Sequence, residues 1–251
     1  MAGSLSVHHS VVFQFIISNV LGHGHLSQCS NNLIFLGVSV QTIMQVETSS
    51  LDGLTFDGRD LWISDVEDKS LKRVSLAEQS VLKRIEFAPG GTPKAICFAN
   101  DSLLVLNYDK QNQITTEMIQ INMMNGHILR SLPCPDFVDS GLVFDNTNFW
   151  GSSYREKCLC QFSAGTGELL HRIDFDSPVS ALSWDGDNLV VGLDKFETDK
   201  CSVIGMLDIQ TGVLSKTVEI DAHFGGIAFA EQMVFYTNRE EKEIQVTRIR
   251  R

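Results

Sequence analysis

One pattern recurs five times between Gly53 and Asn238 and constrains the chain more than any other feature. A small residue opens an apolar run that ends on an aromatic; a polar turn follows, and a second apolar run returns. The copies are GLTFDGRDLWISD from Gly53, AICFANDSLLVLN from Ala95, GLVFDNTNFWGSS from Gly141, ALSWDGDNLVVG from Ala181 and GIAFAEQMVFYTN from Gly226. Their aromatics, Phe56, Phe98, Phe144, Trp184 and Phe229, stand 42, 46, 40 and 45 residues apart. Five copies near this period mark a repeat fold.

Each copy reads as two short strands joined by a turn. Asp57-Gly58 and Asp185-Gly186 are direct turn signals, and Asn100-Asp101 and Asp145-Asn146 fill similar positions. Asp and Asn side chains bond to nearby backbone, and Gly tolerates positive φ, so these recurring acids have a structural explanation. A second ladder follows in the unit, with Gly126, Gly167 and Gly212 at equivalent turns between two further strands. Two-residue alternation dominates throughout, and no long helical period competes with it. Four strands per unit is the β-propeller pattern, one sheet per blade around a central channel.

Gly53-Leu54-Thr55-Phe56-Asp57-Gly58 with Leu61-Trp62, and the turn Asp208-Ile-Gln-Thr-Gly212, carry a family resemblance. The units over residues 50–251 resemble the loose propeller superfamily that includes YVTN-type, quinoprotein-like and glutaminyl cyclotransferase-like domains. For a glutaminyl cyclotransferase-like member, the resemblance implies cyclisation of an N-terminal glutamine with loss of ammonia. The matching motifs describe blade geometry and identify neither a matching catalytic glutamate nor the family's complete pocket.

The chain reads as a single propeller domain over residues 1–251, with residues 51–251 as five repeat units and residues 1–50 as an irregular closing segment. The last unit shows only three strands, which leaves an open sheet edge. Residues 11–17 are rich in strand formers and are expected to supply its missing outer strand. His25–Cys29, Leu33–Leu36 and Val40–Val46 would then form an abbreviated first blade, giving six blades; five is the alternative. Residues 1–50 contain no Lys or Arg and one acid, Glu47, which suits enclosed strands. Leu5–Leu21 lacks the basic start and the cleavage site of a secretion signal, and polar residues interrupt it as a membrane span.

The chain carries 20 basic and 31 acidic residues, a net charge of −11. That balance disfavours nucleic acid and anionic membrane and favours a basic protein or peptide, or a small ligand, as partner to a monomer. The six cysteines are read as reduced, buried thiols. They suit a cytoplasmic protein, with a secreted or periplasmic location as the alternative. No zinc spacing, phosphate loop, dinucleotide fingerprint or nucleophile elbow occurs, so neither metal nor cofactor is expected.

Candidate site residues come from the connections between blades, which gather on one face near the channel mouth. They are Asp52, Asp139, Asp176, Asp221 and His223, with Asp136 beside them. Convergent carboxylates there can bind a cation or amine, or exchange protons; capping and solvation explain the same residues without function. Trp62, Trp150 and Trp184 occupy registered positions that suit packing between blades. The histidines His8, His9, His23 and His25 complete no ligand set. The sequence therefore favours a noncatalytic binding or interaction scaffold, with a cyclotransferase-like enzyme and a purely structural propeller as alternatives.

Overall fold

The computed structural model describes residues 40–48, 50–195, 201–230 and 232–249. Strand β1 (Gln41–Gln45) precedes the repeat units. The first blade contains β2 (Leu51–Phe56), β3 (Leu61–Asp65), β4 (Ser70–Ser75) and β5 (Ser80–Glu86). The second contains β6 (Thr92–Ala99), β7 (Ser102–Asp109), β8 (Ile114–Ile121) and β9 (Ile128–Leu132). The third contains β10 (Gly141–Phe144), β11 (Phe149–Ser153), β12 (Cys158–Phe162) and β13 (Leu169–Asp174). The fourth contains β14 (Val179–Trp184), β15 (Leu189–Lys195), β16 (Cys201–Leu207) and β17 (Leu214–Ile220). The fifth takes β18 (Phe224–Ala230), β19 (Met233–Asn238) and β20 (Glu243–Arg248), and β1 is its outer strand.

The described residues thus form five four-stranded sheets, a five-bladed β-propeller. Six blades are not supported. Gln41–Gln45 begins no blade of its own but pairs antiparallel with β20, Gln41 opposite Val246 and Gln45 opposite Glu243. The physical reason is the edge of β20, whose donors and acceptors need a partner that one short strand can supply. That outer place, expected for residues 11–17, is taken by β1; residues 11–17, 25–29 and 33–36 lie outside the described residues. The innermost strands β2, β6, β10, β14 and β18 touch in order, and β18 touches β2 to complete the ring.

The core is divided in the same way. Five apolar clusters lie among the described residues, one at each blade interface. Trp62 packs between the first and second blades with Ile96 and Leu103. Trp150 packs between the third and fourth with Leu189 and Val191. Both indoles are also tied to their own turns. Asp57 accepts from Trp62 Nε1 at 2.9 Å and from the Arg59 and Asp60 amides. Asp145 accepts from Trp150 Nε1 at 2.8 Å and from the Thr147 and Asn148 amides. Burial disfavours the Asp145 charge, but these bonds outweigh it and hold the pKa below the usual carboxylate value. Its contribution to stability is therefore present above the unfolded carboxylate value and lost as pH falls through the depressed one. The recurring acids are turn caps.

The small residue that opens each repeat has a packing cause. It lies where one innermost strand passes the next, close to the axis. A Cβ added at Gly226 would stand 2.4 Å from the backbone nitrogen of Leu54, and one at Gly53 would stand 2.8 Å from that of Ile96. Backbone cannot yield as a side chain can. Gly226→Ala is therefore expected to cost about 1–3 kcal/mol by overpacking. The measurement is the urea midpoint at unchanged slope; an unmoved midpoint would mean that the inner strands have slack.

Candidate functional site

All five innermost strands start on the same face, which is the channel mouth. Register slips interrupt the pairing of four of them there, between Leu51 and Leu54, Pro93 and Ile96, Val179 and Ala181, and Phe224 and Ile227. A bulge leaves backbone groups without ladder partners, and hydroxyls take them up. Ser64 Oγ accepts from the Gly53 amide at 2.8 Å and donates to the Lys94 carbonyl at 2.9 Å. Thr237 Oγ1 accepts from the Gly226 amide at 2.9 Å and donates to the Asp52 carbonyl at 3.2 Å. Ser140 Oγ donates to the Val179 carbonyl at 2.6 Å. Hydroxyls therefore stitch neighbouring blades together at the mouth and fix the backbone that carries the charged side chains.

Those side chains form a network drawn from all five blades. Asp52 of the first blade stands 3.1 Å from Lys94 Nζ of the second. Its other oxygen accepts from Arg239 Nη2 of the fifth blade at 2.5 Å. Arg239 Nη1 lies 3.4 Å from His223 Nε2, and that ring nitrogen lies 2.9 Å from Asp194 of the fourth blade. On the third blade Asp139 accepts from the Tyr154 amide at 2.6 Å and from Arg155 Nε at 3.0 Å. The Lys94 ammonium sits 5.6 Å from the centre of the Tyr108 ring, a cation–π contact.

Electrostatics tie these pieces together. Burial opposes the charge on Arg239, yet Asp52, Asp194 and Tyr154 outweigh it and raise the guanidinium pKa. The bond to Asp139 raises that of Arg155. Burial, then the Asp139 carboxylate, raises the Tyr108 phenol, which stays protonated at neutral pH. Two thiols of the third blade are suppressed as nucleophiles: burial pushes Cys158 up to about 11 and Cys160 up to about 12. Neither is a thiolate at neutral pH, so neither is poised for attack.

Of the residues singled out by sequence, Asp52, Asp139 and His223 lie in this network. Asp136, Asp176 and Asp221 are exposed in the connections between blades. Asp176 accepts from Lys157 through its backbone carbonyl at 3.2 Å, and no contact ties these three carboxylates to the network among the described residues. Sequence reasoning passed over Lys94, Tyr108, Tyr154, Arg155, Asp194 and Arg239. A signal for four of them existed. Tyr108, Tyr154, Asp194 and Arg239 each stand ten residues after the aromatic of their repeat, at Phe98, Phe144, Trp184 and Phe229. The register of the repeat carries each of these residues to the same end of its blade.

No family model and no curated protein matches the chain. Solved structures do. A glutaminyl cyclase from Myxococcus xanthus is similar over 83% of this chain and 95% of its own, with 14% identity and a TM-score of 0.66. The PQQ-bound aldose sugar dehydrogenase from Streptomyces coelicolor is similar over 84% of this chain and 98% of its own, with 9% identity and a TM-score of 0.50. At such identities the likeness shows the fold alone. The chain is a β-propeller with distant structural neighbours among glutaminyl cyclase and quinoprotein-like propellers.

Proposed function

We propose that the chain is a noncatalytic binding scaffold whose channel mouth recognises a small ligand or a peptide segment. One observation carries this reading: a mixed-charge network contributed by all five blades, held at the mouth by interblade hydrogen bonds. Desolvating that many ionic groups is costly, and well-packed apolar residues are often at least as stable. A network of this kind therefore has little value as plain scaffolding and more as a rigid array of donors and acceptors for a ligand. It also favours a ligand at the mouth over a basic protein drawn only by the −11 net charge.

The cyclotransferase alternative needs a carboxyl group that takes a proton from the attacking amine and passes one to ammonia. Both oxygens of Asp52 are engaged by cations, and both oxygens of Asp139 accept from Arg155 or the Tyr154 amide. That arrangement favours binding over proton transfer. Two measurements separate the readings. A library of small ligands and short peptides is passed over the immobilised wild-type chain and folded charge-reversal variants at Lys94 and Arg155. Selective retention by the wild type alone is the expected result, and equal retention by the variants would overturn the reading. Incubation with a peptide beginning with glutamine should leave its mass unchanged; loss of ammonia would establish the enzyme instead.

A further inference from the structure

We infer that the mouth takes the carboxylate of an anionic ligand, with the ligand body lying in the cleft between the first and second blades. This rests on the binding reading above and names its ligand class. The observation is how the charges are layered. The acid side chains are the deep layer, with Asp52, Asp139 and Asp194 exposed by 5%, 4% and 2%. The cations lie above them, with Lys94, Arg239 and Arg155 exposed by 26%, 25% and 40%. A ligand approaching an otherwise acidic molecule therefore meets N–H donors first at this point.

Those donors have capacity to spare. Arg155 engages Asp139 through Nε, and its terminal Nη nitrogens make no hydrogen bond among the described residues. A guanidinium fork of this kind matches the two oxygens of a carboxylate. Lys94 carries three N–H donors, so its approach to one Asp52 oxygen leaves others for a ligand. Tyr108 links the two cations: Lys94 sits over its ring, and Arg155 lies close enough to act on its phenol electrostatically.

Tyr108 also lines a cleft of about 530 Å³ between the first and second blades. Its walls are the β3–β4 turn, at Glu67 and Lys69, and the β7–β8 turn, at Asp109 and Lys110, with Glu67 and Lys110 paired at 2.7 Å; Gly91 and Asn107 help line it. The volume suits a small organic acid or a few residues of peptide. The three deep carboxylates already balance three cations, so a singly charged carboxylate fits this site better than a phosphate dianion. A peptide C-terminus and a free organic acid present the same group.

Calorimetric titration distinguishes the sources. The probes are N-acetyl-trialanine with a free C-terminus, its C-terminal amide, butyrate and inorganic phosphate. The expected result is saturable binding of at least one carboxylate probe and none of the amide. Lys94→Gln and Arg155→Lys should each weaken that binding by about tenfold, as loss of a charge-assisted contact does. Both substitutions leave a polar partner beside the buried acids, and thermal unfolding verifies that the variants fold. Tighter binding of the peptide acid than of butyrate assigns the peptide source; the reverse assigns the free acid.

Phosphate binding more tightly than both carboxylates, or amide binding as tightly as the acid, would overturn the carboxylate assignment. So would an absence of carboxylate binding, or binding indifferent to both substitutions. None of these results removes the binding reading itself, which is judged by selective retention from the library.

Discussion

A chain that begins at Glu47 is expected to lose its cooperative fold, whereas one that begins at Val40 keeps it. The difference between them is β1, whose seat on β20 closes the ring. Three side chains of this segment, Ile43, Met44 and Val46, are buried in the cluster between the fifth and first blades. Burial of each is worth about 1.5–3 kcal/mol, against a whole-domain stability of about 5–15 kcal/mol. The loss also includes the backbone pairs with β20, the bond from the Val46 amide to the Lys242 carbonyl and that from Thr42 Oγ1 to Glu243. The freed β20 edge would then present unpaired backbone to other chains. Urea unfolding followed by circular dichroism, with sedimentation to detect association, makes the comparison. Equal midpoints for the two chains would rule out β1 as the closing strand.

The blades were legible in the sequence because each repeats the same physical problem. An inner strand must pass close to its neighbour, so it opens on Gly or Ala; its turn must cap itself, so Asp or Asn follows the aromatic. Gly53, Ala95, Gly141, Ala181 and Gly226 carry the first constraint, and Asp57, Asp145 and Asp185 the second. Both constraints are local. The closing strand was harder to place because its pairing spans the whole chain, Thr42 meeting Glu243 across 201 positions. Val11–Ile17 has stronger strand propensity than Gln41–Gln45, but propensity carries no information about which segment can reach an edge. A strand only a short connection upstream of β2 had that reach.

The site was half legible for a related reason. Acids in blade connections could be seen as a group, since they share a place in the repeat. Which of them turns inward depends on the cation it meets, from another blade for Asp52 and from its own blade for Asp139. Asp52 meets Lys94 and Arg239, whereas Asp176 and Asp221 stay in solvent. The net charge of −11 pointed to basic partners because it sums the whole exterior. The mouth sets its acids deeper than the bases that balance them, and no sum over composition records depth.

Asp65 escaped notice for the same reason, and its removal should have a second large effect. Its carboxylate is fully buried and lies 2.9 Å from the Lys72 ammonium, itself almost wholly buried. It also accepts from the amides of Ser50 and Asp68 and from the Thr48 hydroxyl. Lys72 donates in turn to the Glu47 carbonyl at 2.9 Å. The pair therefore fastens the connection between β1 and β2, the span that carries the closing strand to its seat. Asp65→Ala leaves Lys72 with the neutral Glu47 carbonyl and, for a counter-charge, the part-exposed Asp68 carboxylate at 3.4 Å, and strands several donors. Removing one partner of a buried pair in this way costs about 3–5 kcal/mol. Lys72→Met in the same chain removes the orphaned charge, so the double variant should be more stable than Asp65→Ala alone. Urea midpoints of the four chains in the cycle test both statements. A loss under about 1 kcal/mol for Asp65→Ala would place the pair among weak surface contacts. A double variant no better than the single one would assign the damage to the stranded amides and hydroxyl rather than to the buried ammonium.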